Sequence, residues 1–257
     1  MVHWRAASRF FRTLLVVLAA QVAVVPNVLA YEEGRTEYGA RLRLTSLPAR
    51  VHLDSPVPGF SDGGQAPLLR AIATWNAKAC SSPVFVLTED EDDVLIEIRP
   101  IVDDWKFGKA IAAHTDIDSD KFHGDIRHVV IEIDATRTWS GETSVPSDAL
   151  DLESVLLHEL GHALGLAHSR NQDAVMRAGI KPGQTRRVLH DDDAAGACAI
   201  VRTVTLYDAE SASEFMVRLW RSKWLFITAL LFVAGLLVSV IALVKRTTYR
   251  QSIHETR

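Results

Sequence analysis

Residues 158–169 read HELGHALGLAHS, and this stretch constrains the chain more than any other. On a helix, positions i and i+4 share a face one turn apart. His158 and His162 therefore aim two ring nitrogens at one point. His168 follows six residues later, about 600° of helical rotation, so a continuous helix would carry it away from that point. The helix has to end between them. Gly165 is where it ends at little cost, because glycine enters the left-handed region without a Cβ penalty. A reversal there turns a two-ligand helix into a three-ligand site with an open fourth corner, the arrangement of catalytic zinc. Gly161 lies off the ligand row and reads as a close-packing position.

Glu159 sits beside the first ligand but about 100° around the helix from it. It is placed to act on a metal-activated water rather than to bind the metal, which is general-base chemistry on a polarised carbonyl. Peptide hydrolysis fits these parts best. The five specified residues of HExxHxxGxxH should coincide by chance in only about one chain in 10⁵. The alternative from another class is a non-catalytic zinc-binding adhesion or sensing ectodomain.

The motif resembles that of the metzincin metallopeptidases, and most closely the matrixin branch. The resemblance covers HELGHALGLAHS, the following RNQDAVM and, less specifically, most of residues 35–201. It implies that His158, His162 and His168 bind one catalytic zinc and that Glu159 is the general base. It also implies that Met176 in DAVM forms the Met-turn beneath the metal. Ser169, directly after the third histidine, matches the matrixin version. The implied fold is α/β in the metzincin manner: a twisted mixed sheet, an active-site helix and a small C-terminal subdomain. Substrate, a protein or peptide, would lie extended in a cleft above the zinc, with residues 177–184 walling a specificity pocket.

The chain departs from that family in several places. Neither Cys80, in NAKACSSP, nor Cys198, in AAGACAI, has the surroundings of the propeptide cysteine that caps the zinc, and little room precedes the first strand for a propeptide. RAGIKPG after Met176 lacks the tyrosine that some metzincins add as a ligand. For a second, structural zinc, His128 stands where one ligand would lie, with His114 and His123 near. In DIDSDKFHGD, Asp116, Asp118, Asp120 and Asp125 offer oxygen ligands for calcium, although Lys121 occupies the glycine position of an EF-hand loop. The other reading of that stretch is a solvated hairpin.

Both ends of the 257-residue chain read as membrane-directed. Residues 1–30 have a basic start, an apolar run and a small-residue site at Val28-Leu29-Ala30, as in a signal peptide; an uncleaved anchor is the alternative. Trp224–Val244 is an uncharged run that rises about 31 Å as a helix, enough to span a bilayer. The expected order is a signal peptide at 1–30, a peptidase domain at 31–201, a stalk at 202–223, a transmembrane helix at 224–244 and a short tail at 245–257. Translocation followed by stop-transfer makes this a single-pass cell-membrane protein with an extracytoplasmic catalytic domain and a cytoplasmic tail. An intramembrane protease fits poorly, since charged residues share the motif helix and the span lies far downstream. The net charge of −4 and the absence of a basic stripe exclude nucleic acid as a partner. An exported domain with only two cysteines points to a Cys80–Cys198 disulfide, two buried thiols being the alternative.

Between the ends, the patterns predict strands at 41–47, 83–89, 94–100, 109–114 and 126–134, the second and third joined by an acidic turn. They predict helices at 65–79 and 150–164, the latter capped by Ser147 or Asp148, and a short helix starting within 191–193 and running through AAGACAI.

Overall fold

Strand alternation sets the centre of the molecule. The computed structural model describes residues 31–80 and 83–204, with positions 227 and 232. Strand β3 (Ile96–Ile101) buries Ile96 and Ile98 on one face, and β5 (Ile126–Asp134) buries Val129, Ile131 and Ile133. The two strands run parallel with Ile96 opposite Val129 and Ile98 opposite Ile131, so the buried rows coincide. Strands β1 (Ala49–Leu53) and β2 (Phe85–Leu87) extend the sheet on one side. Strand β4 (Ala113–Ser119) closes the other, in the order β2-β1-β3-β5-β4. Only β4 runs antiparallel to its neighbour, which makes the sheet mixed and leaves β4 as an edge.

Two of the expected strands are displaced. The alternating RLRLTSL stretch buries Leu44 but pairs only through isolated bridges, Arg35 with Arg41 and Arg43 with Asp125. Pro48 has no N–H to donate, and the ladder begins one residue later at Ala49. The strand expected at 109–114 starts only at Ala113 and continues to Ser119. A turn at Gly108, bonded from Ile111 N–H, occupies the residues before it. The acidic turn contains one 3₁₀ turn, Glu91–Asp93, capped by the Asp90 side chain.

Of the apolar residues whose spacing predicts helix α1 (Gln65–Lys78), Leu68, Ile72 and Trp75 are buried with Ala71 on one face at i, i+4, i+7 and i+3, while Leu69 is exposed. Helix α2 (Leu152–Leu164) carries the histidine motif and packs against α1. Trp75 joins them, its indole N–H donating to the Leu157 carbonyl at 2.8 Å. The start of α2 corrects the expected one. Leu150–Asp151 form a short strand, β7, paired with β6 (Trp139–Ser140), and Asp151 is the cap, accepting from Ser154 N–H at 3.1 Å. Neither Ser147 nor Asp148 caps the helix. Asp151 wins because Arg187 clamps both its oxygens, at 2.6 and 2.8 Å, so the buried carboxylate is paired as well as capping.

Beyond Gly165 the chain is mostly turns until helix α3, residues 191–204. It begins within the expected 191–193 and runs beyond the AAGACAI stretch. A Cys80–Cys198 disulfide ties the end of α1 to α3, with the Cα atoms 5.3 Å apart and a sequence separation of 118. Closing a loop that long stabilises the fold by about 4–5 kcal/mol in the chain-entropy picture.

The compact unit described ends at Val204. The expected signal peptide, the stalk after Val204, the apolar run 224–244 (two positions excepted) and the tail lie outside the described residues. Among the described residues no helix is long and apolar enough to cross a membrane.

Gly161 marks the tightest contact beneath the motif helix. A Cβ there would stand 2.2 Å from Met176 Sδ and 3.0 Å from the Trp75 ring. Alanine would gain about 1 kcal/mol of helix propensity but force Met176 out of a filled site, an overpacking cost of about 1–3 kcal/mol. Gly161→Ala is expected to lower stability by up to about 2 kcal/mol in denaturant unfolding; a midpoint raised by the full propensity gain would show that Met176 has room to move.

Candidate metal centre

The end of α2 builds the site. Gly165 adopts φ 108°, ψ 12°, and its N–H bonds back to the His162 carbonyl at 2.8 Å while Leu166 N–H reaches the Gly161 carbonyl at 3.0 Å. This left-handed cap is what a glycine at a helix end permits. A second constraint acts at the same residue, since a Cβ on Gly165 would lie 2.8 Å from the Leu42 carbonyl oxygen. The reversed chain is held from outside by the amino-terminal segment. Gly34 N–H donates to the Gly165 carbonyl at 2.7 Å and Ala167 N–H to the Glu32 carbonyl at 2.8 Å.

The reversal brings His168 back to the helix. The Nε2 atoms of His158 and His162 lie 3.1 Å apart, those of His162 and His168 3.2 Å, and those of His158 and His168 3.3 Å. Three nitrogens bound tetrahedrally at zinc's usual distance would stand about 3.3 Å from one another, so the triangle fits that ion. The outer nitrogens settle the tautomers. His158 Nδ1 donates to the Val175 carbonyl and His162 Nδ1 to the Leu166 carbonyl, both at 2.8 Å. Each ring therefore turns an unprotonated Nε2 inward, the form a metal requires. Burial holds His158 and His162 down at a pKa of about 4, so both are neutral at pH 7.

Glu159 is buried beside this triangle, and Thr115 of edge strand β4 donates its hydroxyl to Glu159 Oε2 at 2.5 Å. Met176 is buried under the helix against Gly161. The turn that holds it rests on Asp193, a fully buried carboxylate accepting from Val175 N–H at 2.8 Å, Met176 N–H at 3.0 Å and His190 N–H at 2.9 Å. Asp193 thereby also fixes the carbonyl that orients His158. Asp192, next to it, accepts from Ser169 Oγ at 2.6 Å and from Tyr31 N–H at 2.8 Å, which anchors the residue after the third histidine.

Thr115, Asp192 and Asp193 escaped the sequence reading. Asp191–Asp193 carried the signal of a helix start and nothing more, and Thr115 lies 44 residues from its partner in a strand without a motif. The acidic hairpin does not gather ligands. Asp120 accepts from the His123 N–H, the His123 ring and the Phe122 N–H, bonds that pull its carboxyl down to about 2; it also pairs with Arg127, and Asp125 pairs with Arg43 at 2.6 Å. His114 lies against the Phe107 ring, and His128 faces Glu97 at 3.8 Å. Among the described residues, His158, His162 and His168 are the one group of three or more such side chains close enough to hold an ion.

The profile of the matrixin family matches residues 70–201, about half of the chain. The chain belongs to the matrixin family. It is similar to metalloendoproteinase 1-MMP of Arabidopsis thaliana, 33% identical over 137 residues that make up 49% of this chain and 35% of that protein. Metalloendoproteinase 1 of Glycine max is 47% identical over 68 residues, 24% of this chain and 22% of that one. Matrix metalloproteinase-2 of Drosophila melanogaster is 40% identical over 77 residues, 29% of this chain and 10% of that one. The chain thus spans about a third or less of the length of these relatives.

The depressed histidines set a pH dependence for the metal-free matrixin domain. An unfolded histidine titrates near 6.5 and these two at about 4, so between those values the unfolded state binds more protons than the folded one. Stability contributed by the neutral rings is complete above pH 6.5 and is lost as pH falls toward 4. With chelator present, the melting temperature is expected to drop across that window, and replacing both histidines by glutamine should flatten the drop. An equal slope in the double variant would mean that other groups cause it.

Proposed function

We propose that this matrixin is a zinc-dependent endopeptidase, anchored in the membrane by Trp224–Val244, that cleaves proteins or peptides outside the cytoplasm. The observation that carries the hydrolase reading is the conjunction of three inward-facing imidazole nitrogens with a buried carboxylate at the wall of one cleft. His158, His162 and His168 would hold the zinc, which when bound supplies Lewis acidity and lowers the pKa of a water toward neutrality. Glu159 would serve as the base that takes a proton from the attacking water and hands it to the leaving amine. The Thr115 hydroxyl, bonded at 2.5 Å, fixes the rotation of the Glu159 carboxylate before substrate arrives. The substrate backbone lies along β4, whose outer edge is the free rim of the sheet, as an added strand.

The export reading rests on residues 1–30 and on the disulfide, which suits an oxidising compartment. The anchor reading rests on the length and apolarity of 224–244. In sealed vesicles from expressing cells, added protease should remove the catalytic domain only if it faces out, while a tag after Arg257 stays protected; a digested tag and a protected domain would reverse the topology.

Substitution separates catalysis from binding. Glu159→Ala should retain stoichiometric zinc and lose peptide cleavage by about 10²–10⁴-fold, the usual contribution of a general base. Thr115→Val should lower kcat by about tenfold or more, as loss of a hydrogen bond to a charged group costs about 1.5–3 kcal/mol, with KM little changed and Thr115→Ser restoring it. Cleavage that survives Glu159→Ala sinks the assigned mechanism. Bound zinc without any cleavage by the unaltered protein would favour an adhesion or sensing role instead.

A further inference from the structure

The cleft at the metal centre is a cavity of about 600 Å³ that runs from the histidines along the first turns of α2, beneath the loop at 177–180. Its walls there are Val155, Val175 and Ile180, all apolar and at least half buried. Beyond them stands Arg186. Its backbone N–H donates to Ser154 Oγ at 2.6 Å, which fastens it beside α2 one helical turn before His158. Its guanidinium reaches across the loop, Nη1 to the Arg177 carbonyl at 2.9 Å and Nη2 to the Gly179 carbonyl at 3.2 Å.

Those partners are neutral. Among the described residues neither Arg186 nor Arg177 makes an ion pair, and both line the same cavity. The carboxylates that Arg186 senses, Asp193 and Asp173, lie beyond ion-pair distance. Asp193 is moreover committed to the three backbone N–H groups of the Met-turn and His190. The cavity also takes in Arg35, and its one carboxylate is Glu159, held by Thr115 at the opposite wall. Burial and the neighbouring Arg177 both work against the charge on Arg186, so a carboxylate docking there would relieve an existing penalty. The fork geometry of a guanidinium fits a carboxylate with two parallel bonds.

Building on the hydrolase reading above, we propose that Arg186 makes this cleft select peptides that place a glutamate side chain beside the scissile bond. The apolar walls take its methylene stem and Arg186 takes its carboxylate. Arg177 adds to the preference by repelling basic side chains at the mouth. A leucine fills the walls but leaves the guanidinium with carbonyls alone, and a lysine meets two like charges.

The test uses the full chain in detergent and peptides that differ only in the residues flanking the scissile bond: glutamate, glutamine, leucine or lysine. Cleavage is followed with the zinc-loaded protein, and binding by anisotropy of the same labelled peptides on the zinc-loaded Glu159→Gln variant. At one flanking position glutamate should exceed leucine at least fivefold and lysine at least fiftyfold, in kcat/KM and in affinity. Arg186→Met, checked for folding by zinc content and melting temperature, should lose that order and prefer leucine; Arg186→Lys should fall between. Equal binding of glutamate and lysine peptides, or an order that persists in Arg186→Met, overturns the proposal. Glutamate-selective binding with no cleavage by the unaltered protein upholds the pocket and sinks the hydrolase reading instead.

Discussion

The hydrogen bonds around Gly165 hold the rest of the site in being. A helix gives two imidazoles a common direction at no cost, but the third comes only if the chain reverses within a few residues and stays reversed. Gly165 supplies the dihedral angles, and the bonds from Gly34 N–H to the Gly165 carbonyl and from Ala167 N–H to the Glu32 carbonyl hold the returning chain. Without that external strap a left-handed cap is one of several ways for a helix to end. With it, His168 has one position, and the three Nε2 atoms lie within 3.3 Å of each other.

A second set of bonds fixes the rings rather than the backbone. Val175 and Leu166 carbonyls take the outer N–H of His158 and His162, and Asp193 anchors the turn that carries Val175. The same carboxylate therefore sets the floor under the helix, through Met176, and the tautomer of His158. The buried carboxylate is tolerated because three backbone N–H groups donate to it, and the network makes the lower part of the cleft stiff. Stiffness there matters for selectivity, since Arg186 is tied to α2 by its backbone and to the loop at 177–180 by its guanidinium.

Much of the architecture was legible because it repeats. The 3.6-residue period of Leu68, Ile72 and Trp75 and the two-residue period of Ile96, Ile98, Ile131 and Ile133 each have one structural solution. Elements failed where pairing, not pattern, decided. RLRLTSL alternates as well as any strand, yet it buries Leu44 with only single bridges, because the ladder starts after Pro48. The first turn of α2 was misjudged because its cap is chosen by Arg187, 36 residues away, and not by the local run of Ser147 and Asp148.

The sequence by itself determined that His158 and His162 share one helix face with Glu159 beside them, and the place where the helix must break for His168 to join them, because spacing on a helix is fixed by backbone geometry alone. It also limited the cysteines to a single pairing within the chain, and the structure shows that pair bonded rather than left as two thiols. Tertiary structure alone decided which groups hold those residues in position. Thr115 meets Glu159, Asp193 meets the Met-turn and Arg186 meets the loop across the cleft through contacts between distant segments, and no local pattern encodes a distance that exists only after the sheet and helices have closed on one another.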